Sequence, residues 1–178
     1  MIEIIKNILP IEINNRIILF LLKSNNWRIA KDFDCDIRLV EDLIGVNGKD
    51  YGCSLQTLDE KENIYIESPL NYYAEIVYSI IKQQTKYKFL KPIRFYWNYY
   101  NNSSFTLPHK DRSENFYVSF VYNLNTNNGG TNINGEFYKS NSGEAIVFPS
   151  NVMHNGVTQT DTKGRFNLNC VIELTERY

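Results

Sequence analysis

The sequence predicts a mainly β fold with N-terminal helices, an α+β protein in which two helices pack against a double-sheet barrel. Three observations carry this. Apolar residues recur at helical spacing in two stretches before Lys86. After Pro92 the pattern changes to short alternating runs rich in Tyr, Phe, Val and Ile. Turn-forming pairs, among them Asn134-Gly135 and Ser142-Gly143, separate those runs at close intervals. Helices first and strands afterwards make a layered domain. A length of 178 residues suits a single domain, 1–178. Within it, residues 1–93 read as a helical and loop layer, and residues 94–174 as the strand core. No internal repeat and no linker divides the chain.

Pro10 suits the first turn of a helix running to about Ser24. Ile13, Ile17, Phe20 and Leu21 form its apolar stripe, widened by Ile18 and Leu22, and predict core packing. "NWRIAKDF" (26–33) reads as a short strand. Residues 32–63 are acidic, contain Gly45, Gly48 and Gly52, and read as loops with one strand near 51–58. Ser68 followed by Pro69 signals a second helix start, with the serine as N-cap. Tyr73, Ile76, Val77, Ile80 and Ile81 extend that helix to about 85, and Lys82 and Lys86 suit the dipole at its C-terminus. "IRFYWNYY" (93–100) and "FYVSFVYNL" (116–124) are strands. Asn134-Gly135 fits a two-residue hairpin, and "EAIVFP" (144–149) is a strand entered from the Ser142-Gly143 turn. "RFNLNCVIEL" (165–174) is the last strand. It carries Phe166, Leu168, Cys170 and Ile172 on one face, and Arg165, Asn167 and Asn169 on the other.

Composition excludes several classes. Hydrophobic content of 43% and aromatic content of 14% support a core and argue against disorder. A net charge of −1 and a pI near 6.1 argue against a general polyanion binder. The charge is unevenly placed. From Asp32 to Glu75 eleven acids face Arg38, Lys49 and Lys61, whereas Ile76 to Lys110 holds six bases and no acid. Cys35, Cys53 and Cys170 are scattered, with neither zinc spacing nor a disulfide framework, so a cytoplasmic setting is the simplest expectation. The apolar run Ile17–Leu22 is too short to span a membrane, and the N-terminus lacks the layout of a signal peptide. No membrane partner is expected, and oligomeric state is not legible.

The chain has 2 histidines, and one of them, in "LPHKDRSEN" (107–115), precedes an aspartate by two positions. On a strand, residues i and i+2 share a face, so His109 and Asp111 could converge on one metal. By itself the tripeptide is more often a surface histidine beside a surface carboxylate. The other histidine, His154, follows the strand "EAIVFPS", and Arg165 opens the final strand. Singly, His154 reads as a satisfied histidine near a strand end and Arg165 as a surface charge.

Four segments in this order carry a resemblance: "SFTLPHKD" (104–111), "YNLN" with "NNGGT" (122–131), "SNSGEAIVFPSNVMHNG" (140–156) and "RFN" (165–167). Together they resemble the Fe(II)/2-oxoglutarate-dependent oxygenases, in particular the prolyl-4-hydroxylase-like branch. The match covers about residues 94–174; residues 1–93 match no motif. The resemblance implies a double-stranded β-helix (jelly-roll) core, with His109, Asp111 and His154 as ligands of Fe(II). Two imidazoles and one carboxylate leave positions open for a chelating 2-oxoacid and for O2. It further implies hydroxylation of a C–H bond, with release of succinate and CO2.

The far carboxylate of 2-oxoglutarate then needs a buried cation, and Arg165 can bind it in bidentate fashion. Asn167, on the same strand face, can add a hydrogen bond. The family places a strand tyrosine ahead of His-x-Asp against the cosubstrate; Tyr100 fits that spacing best, with Tyr99 the alternative by one register. Where the family often has a further tyrosine or threonine before its Leu-Asn, this chain has Tyr122-Asn123, with the register open. A zinc hydrolase could use the same three ligands, but it would not need Arg165, and no HExxH is present.

The resemblance puts a peptide or protein side chain first as substrate, with proline leading. A free amino acid or small metabolite comes next. Oxidation of a nucleobase is motivated by the basic stretch 76–110, but overall charge argues against nucleic acid. A non-catalytic jelly-roll module is opposed by the intact set of ligands. Substrate choice should lie in residues 32–63, 101–107 and 112–115.

Overall fold

A computed structural model describes residues 1–24, 28–29, 53–102, 104 and 106–176. The greater part of "NWRIAKDF" and of the acidic stretch 32–63 therefore lies outside the described residues. The described residues form two helices, α1 (Ile11–Lys23) and α2 (Pro69–Gln84). Ser68 caps α2, its side chain accepting from the Asn71 N–H at 3.3 Å. The strands are β1 (Glu3–Ile5), β2 (Arg28–Ile29), β3 (Cys53–Asp59), β4 (Ile64–Tyr65), β5 (Phe89–Tyr100), β6 (Tyr117–Asn123), β7 (Gly130–Ile133), β8 (Glu136–Lys139), β9 (Ala145–Pro149), β10 (His154–Val157) and β11 (Arg165–Leu174). Among the described residues no helix is long and apolar enough to cross a membrane.

The large sheet has eight strands in the order β1-β9-β6-β11-β5-β3-β2, with β4 on β3; the small one is β10-β7-β8. The 1–93 region is therefore more than a helical layer, since it supplies β1 to β4 and the start of β5. The Asn134-Gly135 turn joins β7 to β8 with positive φ at both residues, the geometry of a two-residue hairpin. This is the jelly-roll core.

The large sheet is covered on both faces. On one side Phe95, Trp97, Phe120, Leu168 and Cys170 pack against Ile17 and Leu21 of α1 and Val77 and Ile81 of α2. On the other side a smaller apolar cluster, Val121, Ile133, Ile146 and Phe148, lies between the sheets. The helix faces differ from the predicted stripes. Phe20 and Leu22 of α1 and Ile76 of α2 are exposed, while Asn14 is buried. Asn14 accepts from the Tyr122 hydroxyl at 2.6 Å and donates to Ser142 Oγ at 3.1 Å, so a polar anchor takes a core position. On α2 the buried face runs through Leu70, Ala74, Val77, Tyr78 and Ile81.

Candidate active site

Strand register sets out the inner wall of the barrel in rows. Arg165 stands opposite Tyr100, Asn167 opposite Asn98, and Asn169 opposite Tyr96. Beyond β5, Ser54 lies beside Asn98, Gln56 beside Tyr96, and Asp59 beside Arg94. Alternate residues of the same strands enter the helix-facing core, because successive side chains of a strand point to opposite faces. Between this wall and the small sheet is a cavity of about 550 Å³, lined by His109, Asp111, His154, Tyr100, Arg165 and Asn167 among others. All six residues singled out in the sequence thus border one space.

His109 and His154 exchange a reciprocal pair of backbone hydrogen bonds, each 2.9 Å, and the Asp111 N–H donates to the Ser150 carbonyl at 3.0 Å. The His109–Asp111 segment makes a single bridge to β10 rather than a full strand. The ligand atoms of His109, Asp111 and His154 all lie within 4.8 Å of one another. Each imidazole has Nδ1 on a backbone carbonyl, His109 on Leu107 at 2.8 Å and His154 on Val152 at 3.0 Å. An Nδ1–H donating there leaves the Nε2 lone pair for a metal. His154 Nε2 is buried without a hydrogen-bond partner, 3.5 Å from Asp111 Oδ2. An orphaned ring nitrogen beside a buried carboxylate fits a metal ion.

Asp111 is held on both oxygens. Oδ1 accepts from Arg94 Nη2, and Oδ2 accepts from Ser119 Oγ at 2.5 Å, with Ser150 Oγ 2.8 Å further on. Burial pushes the Asp111 carboxyl upward, but the Arg94 charge and the two imidazoles outweigh it and hold it well below the usual range. Burial, with the neighbouring His154, lowers the His109 pKa. Burial acts in the same sense on His154, yet the Asp111 carboxylate beside it raises that ring's pKa overall.

Arg165 is only 1% exposed. Nη2 donates to Thr131 Oγ1 at 3.1 Å and Nη1 to the Val157 carbonyl at 3.3 Å, while Nε is buried without a partner. The guanidinium lies over the Tyr100 ring, 5.0 Å from its centroid. No carboxylate pairs with it among the described residues, and burial lowers its pKa. A buried cation is costly unless an anion joins it. Gly156 keeps this end open: a Cβ there would stand 2.6 Å from Thr106 Oγ1 and 3.4 Å from Arg165 Nη1.

Register separates the alternatives that the sequence leaves open. Tyr100 faces the cavity, whereas Tyr99 packs its ring on Phe166 with centroids 4.9 Å apart. Tyr122 points to α1, and Asn123 accepts from Ser140 Oγ at 3.0 Å; neither lines the cavity. Asn167 does line it, its Oδ1 accepting from Asn98 Nδ2 at 3.0 Å. Sequence reading misses Arg94, Ser119, Thr106 and Thr131. For Thr131 alone there is a local signal, the Gly129-Gly130-Thr131 segment, where the threonine serves the pocket and not merely the turn.

No family model matches the sequence, and no curated protein matches it. Solved structures do. A Pseudomonas putida prolyl-4-hydroxylase superposes with a TM-score of 0.61 at 15% identity, over 98% of this chain and 93% of that one. A Trichoplax adhaerens prolyl hydroxylase, in complex with a hypoxia inducible factor peptide fragment, gives 0.63 at 15% identity, over 97% and 83%. HygX from Streptomyces hygroscopicus, with nickel, 2-oxoglutarate and hygromycin B bound, gives 0.62 at 9% identity, over 98% and 83%. The chain has the jelly-roll fold of the Fe(II)/2-oxoglutarate-dependent oxygenases. At these identities the likeness is one of fold.

Proposed function

We propose that the chain is an Fe(II)- and 2-oxoglutarate-dependent dioxygenase that hydroxylates a C–H bond of its substrate, releasing succinate and CO2. The observation that carries this is one cavity holding both the His109, Asp111 and His154 cluster and the buried Arg165, a cation with no carboxylate partner among the described residues. His109, Asp111 and His154 would hold the iron. When bound, the iron supplies the oxygen activation that couples decarboxylation of 2-oxoglutarate to hydroxylation. Arg165 binds the far carboxylate of 2-oxoglutarate, with Thr131 and the Tyr100 ring fixing the guanidinium. Arg94 and Ser119 orient the Asp111 carboxylate. The small sheet and the Phe148 ring against His154 keep that side of the centre dry.

A peptide or protein side chain, with proline leading, is the substrate that likeness to the two prolyl hydroxylases favours. A small molecule is the second reading, favoured by HygX, whose structure contains hygromycin B. The test is calorimetric titration of the Ni(II)-loaded protein with 2-oxoglutarate. Succinate release with Fe(II) is then screened across proline peptides, amino acids, polyols and oligonucleotides. Absence of 2-oxoglutarate binding would remove the proposal.

A further inference from the structure

We infer that the wall beside the candidate metal centre receives a neutral, hydroxyl-rich small molecule through Ser54, Gln56 and Asn98, an inference that rests on the oxygenase reading above and takes its small-molecule alternative over the proline one. The inner faces of β3, β5 and β11 carry polar or tyrosine side chains at every position that lines the cavity, and Val121 of β6 is the one aliphatic side chain lining it among the described residues. Ser54 and Gln56 are buried there, not solvated at a rim. A proline ring or an aliphatic side chain would find apolar surface only on the Tyr96 and Tyr100 rings and Val121, and would leave the hydrogen bonds of the buried polar groups around them unmade.

Two charged groups of the wall, Asp59 and Arg94, are already engaged inside the protein. Asp59 accepts from the Tyr96 hydroxyl and from the backbone N–H groups of Lys61 and Glu62, at 3.0 and 3.2 Å. Arg94 is engaged by Asp111. Arg165 is the exception, and the oxygenase reading gives it to 2-oxoglutarate, so with that acid bound a zwitterionic amino acid or a phosphate ester finds no buried, uncommitted opposite charge along these rows. The neutral groups are amides and a hydroxyl, which present donors and acceptors together. A ligand hydroxyl is also both donor and acceptor, so it pairs with either end of an amide. Ser54 and Asn98 are cross-strand neighbours, and Gln56 lies two residues along β3. Adjacent strands are about 4.8 Å apart, so the three groups fall within the span of one monosaccharide- or cyclitol-sized ring.

The test is ligand-observed NMR on the metal-free protein, and again on the Ni(II)- and 2-oxoglutarate-loaded protein, with myo-inositol, methyl glucoside, N-acetylproline amide and free amino acids as probes. The polyols are expected to bind in both forms, the proline amide in neither, and the amino acids not to bind the loaded form, in which 2-oxoglutarate occupies Arg165. Gln56→Leu and Ser54→Ala should each weaken polyol binding about tenfold. Circular dichroism reports whether each variant folds, and either one suffices. Binding of the proline amide or amino acids without the polyols, binding of no probe, or unchanged polyol affinity in a folded variant overturns the inference. Failure of 2-oxoglutarate to bind, with polyol binding intact, overturns only the oxygenase reading.

Discussion

Arg94 donates through Nη2 to the carboxylate of Asp111, and the same nitrogen reaches Asn169 Oδ1 at 2.7 Å. The Asp111 side chain is 2% exposed and that of Arg94 19%. Arg94→Met should leave a buried carboxylate without its cation. The metal-free protein is expected to lose about 3 kcal/mol in urea denaturation, the low end for breaking a buried pair because Arg94 is partly solvated. Added Ni(II) should narrow the gap, since it neutralises the same carboxylate and stabilises by binding the folded state. A loss that metal does not alter would show that Arg94 acts by packing alone.

His154→Ala should abolish binding of Ni(II) or Fe(II) in calorimetry while the circular dichroism spectrum stays native. The ring contributes ligand nitrogen rather than a large share of the core. Wild-type metal affinity in this variant would remove His154 from the metal set.

Metal affinity should fall as pH falls. Asp111 raises the His154 pKa, so the ring keeps its proton to higher pH than an ordinary histidine, and a metal ion must displace it. In the metal-free protein the sign is opposite. That contact contributes fully below the ordinary imidazole value and is lost as pH rises through the raised one. Ni(II) titrations across roughly pH 5 to 8 should therefore show affinity increasing with pH until His154 is neutral, then levelling. A flat profile would contradict the assignment.

Arg165→Ala should leave metal binding intact and weaken 2-oxoglutarate more than tenfold. Truncating one partner of a buried charged hydrogen bond costs about 2–5 kcal/mol. Asn167→Ala should act in the same direction but more weakly, as a neutral hydrogen bond is worth less. Equal dissociation constants for wild type and Arg165→Ala would remove that role.

Gly156→Ala places a methyl group 2.6 Å from Thr106 Oγ1 and 3.4 Å from Arg165 Nη1. The Thr106 hydroxyl must give way, and the methyl group then fills the space against the Arg165 guanidinium at van der Waals contact. The expected result is weaker 2-oxoglutarate binding with unchanged Ni(II) affinity, read in the same titrations.

His109, Asp111, His154 and Arg165 are legible in the sequence because their spacing and turn signals are local. Arg94, Ser119 and Thr106 are not, since their contribution depends on which strands become neighbours. Arg94 meets Asp111 only after β5 pairs with β11 and the His109–Asp111 segment crosses to β10. The choice of Tyr100 over Tyr99 likewise waits on register, because a shift of one residue reverses the face. Helix periodicity shows that α1 has an apolar stripe but not how wide a strip is covered, so Phe20 and Leu22 remain in solvent. Strands β1 and β10 escape notice because three or four residues are too few for alternation to be distinctive.

Strand β1 has a role disproportionate to its three residues. Strand β9 buries all of Ala145–Pro149, with β6 on one flank and β1 on the other. Glu3 pins β1 in place by accepting from Thr85 Oγ1 at 3.0 Å and from the Lys86 N–H at 3.2 Å, beside the end of α2. Trimming the chain through Ile5 would strip the cover from an apolar strand that carries no charge of its own. Its bare N–H and C=O groups would become a template for a second molecule. Preparations cut back at this end should therefore self-associate edge to edge, while an extension placed ahead of Glu3 leaves the guard strand in position.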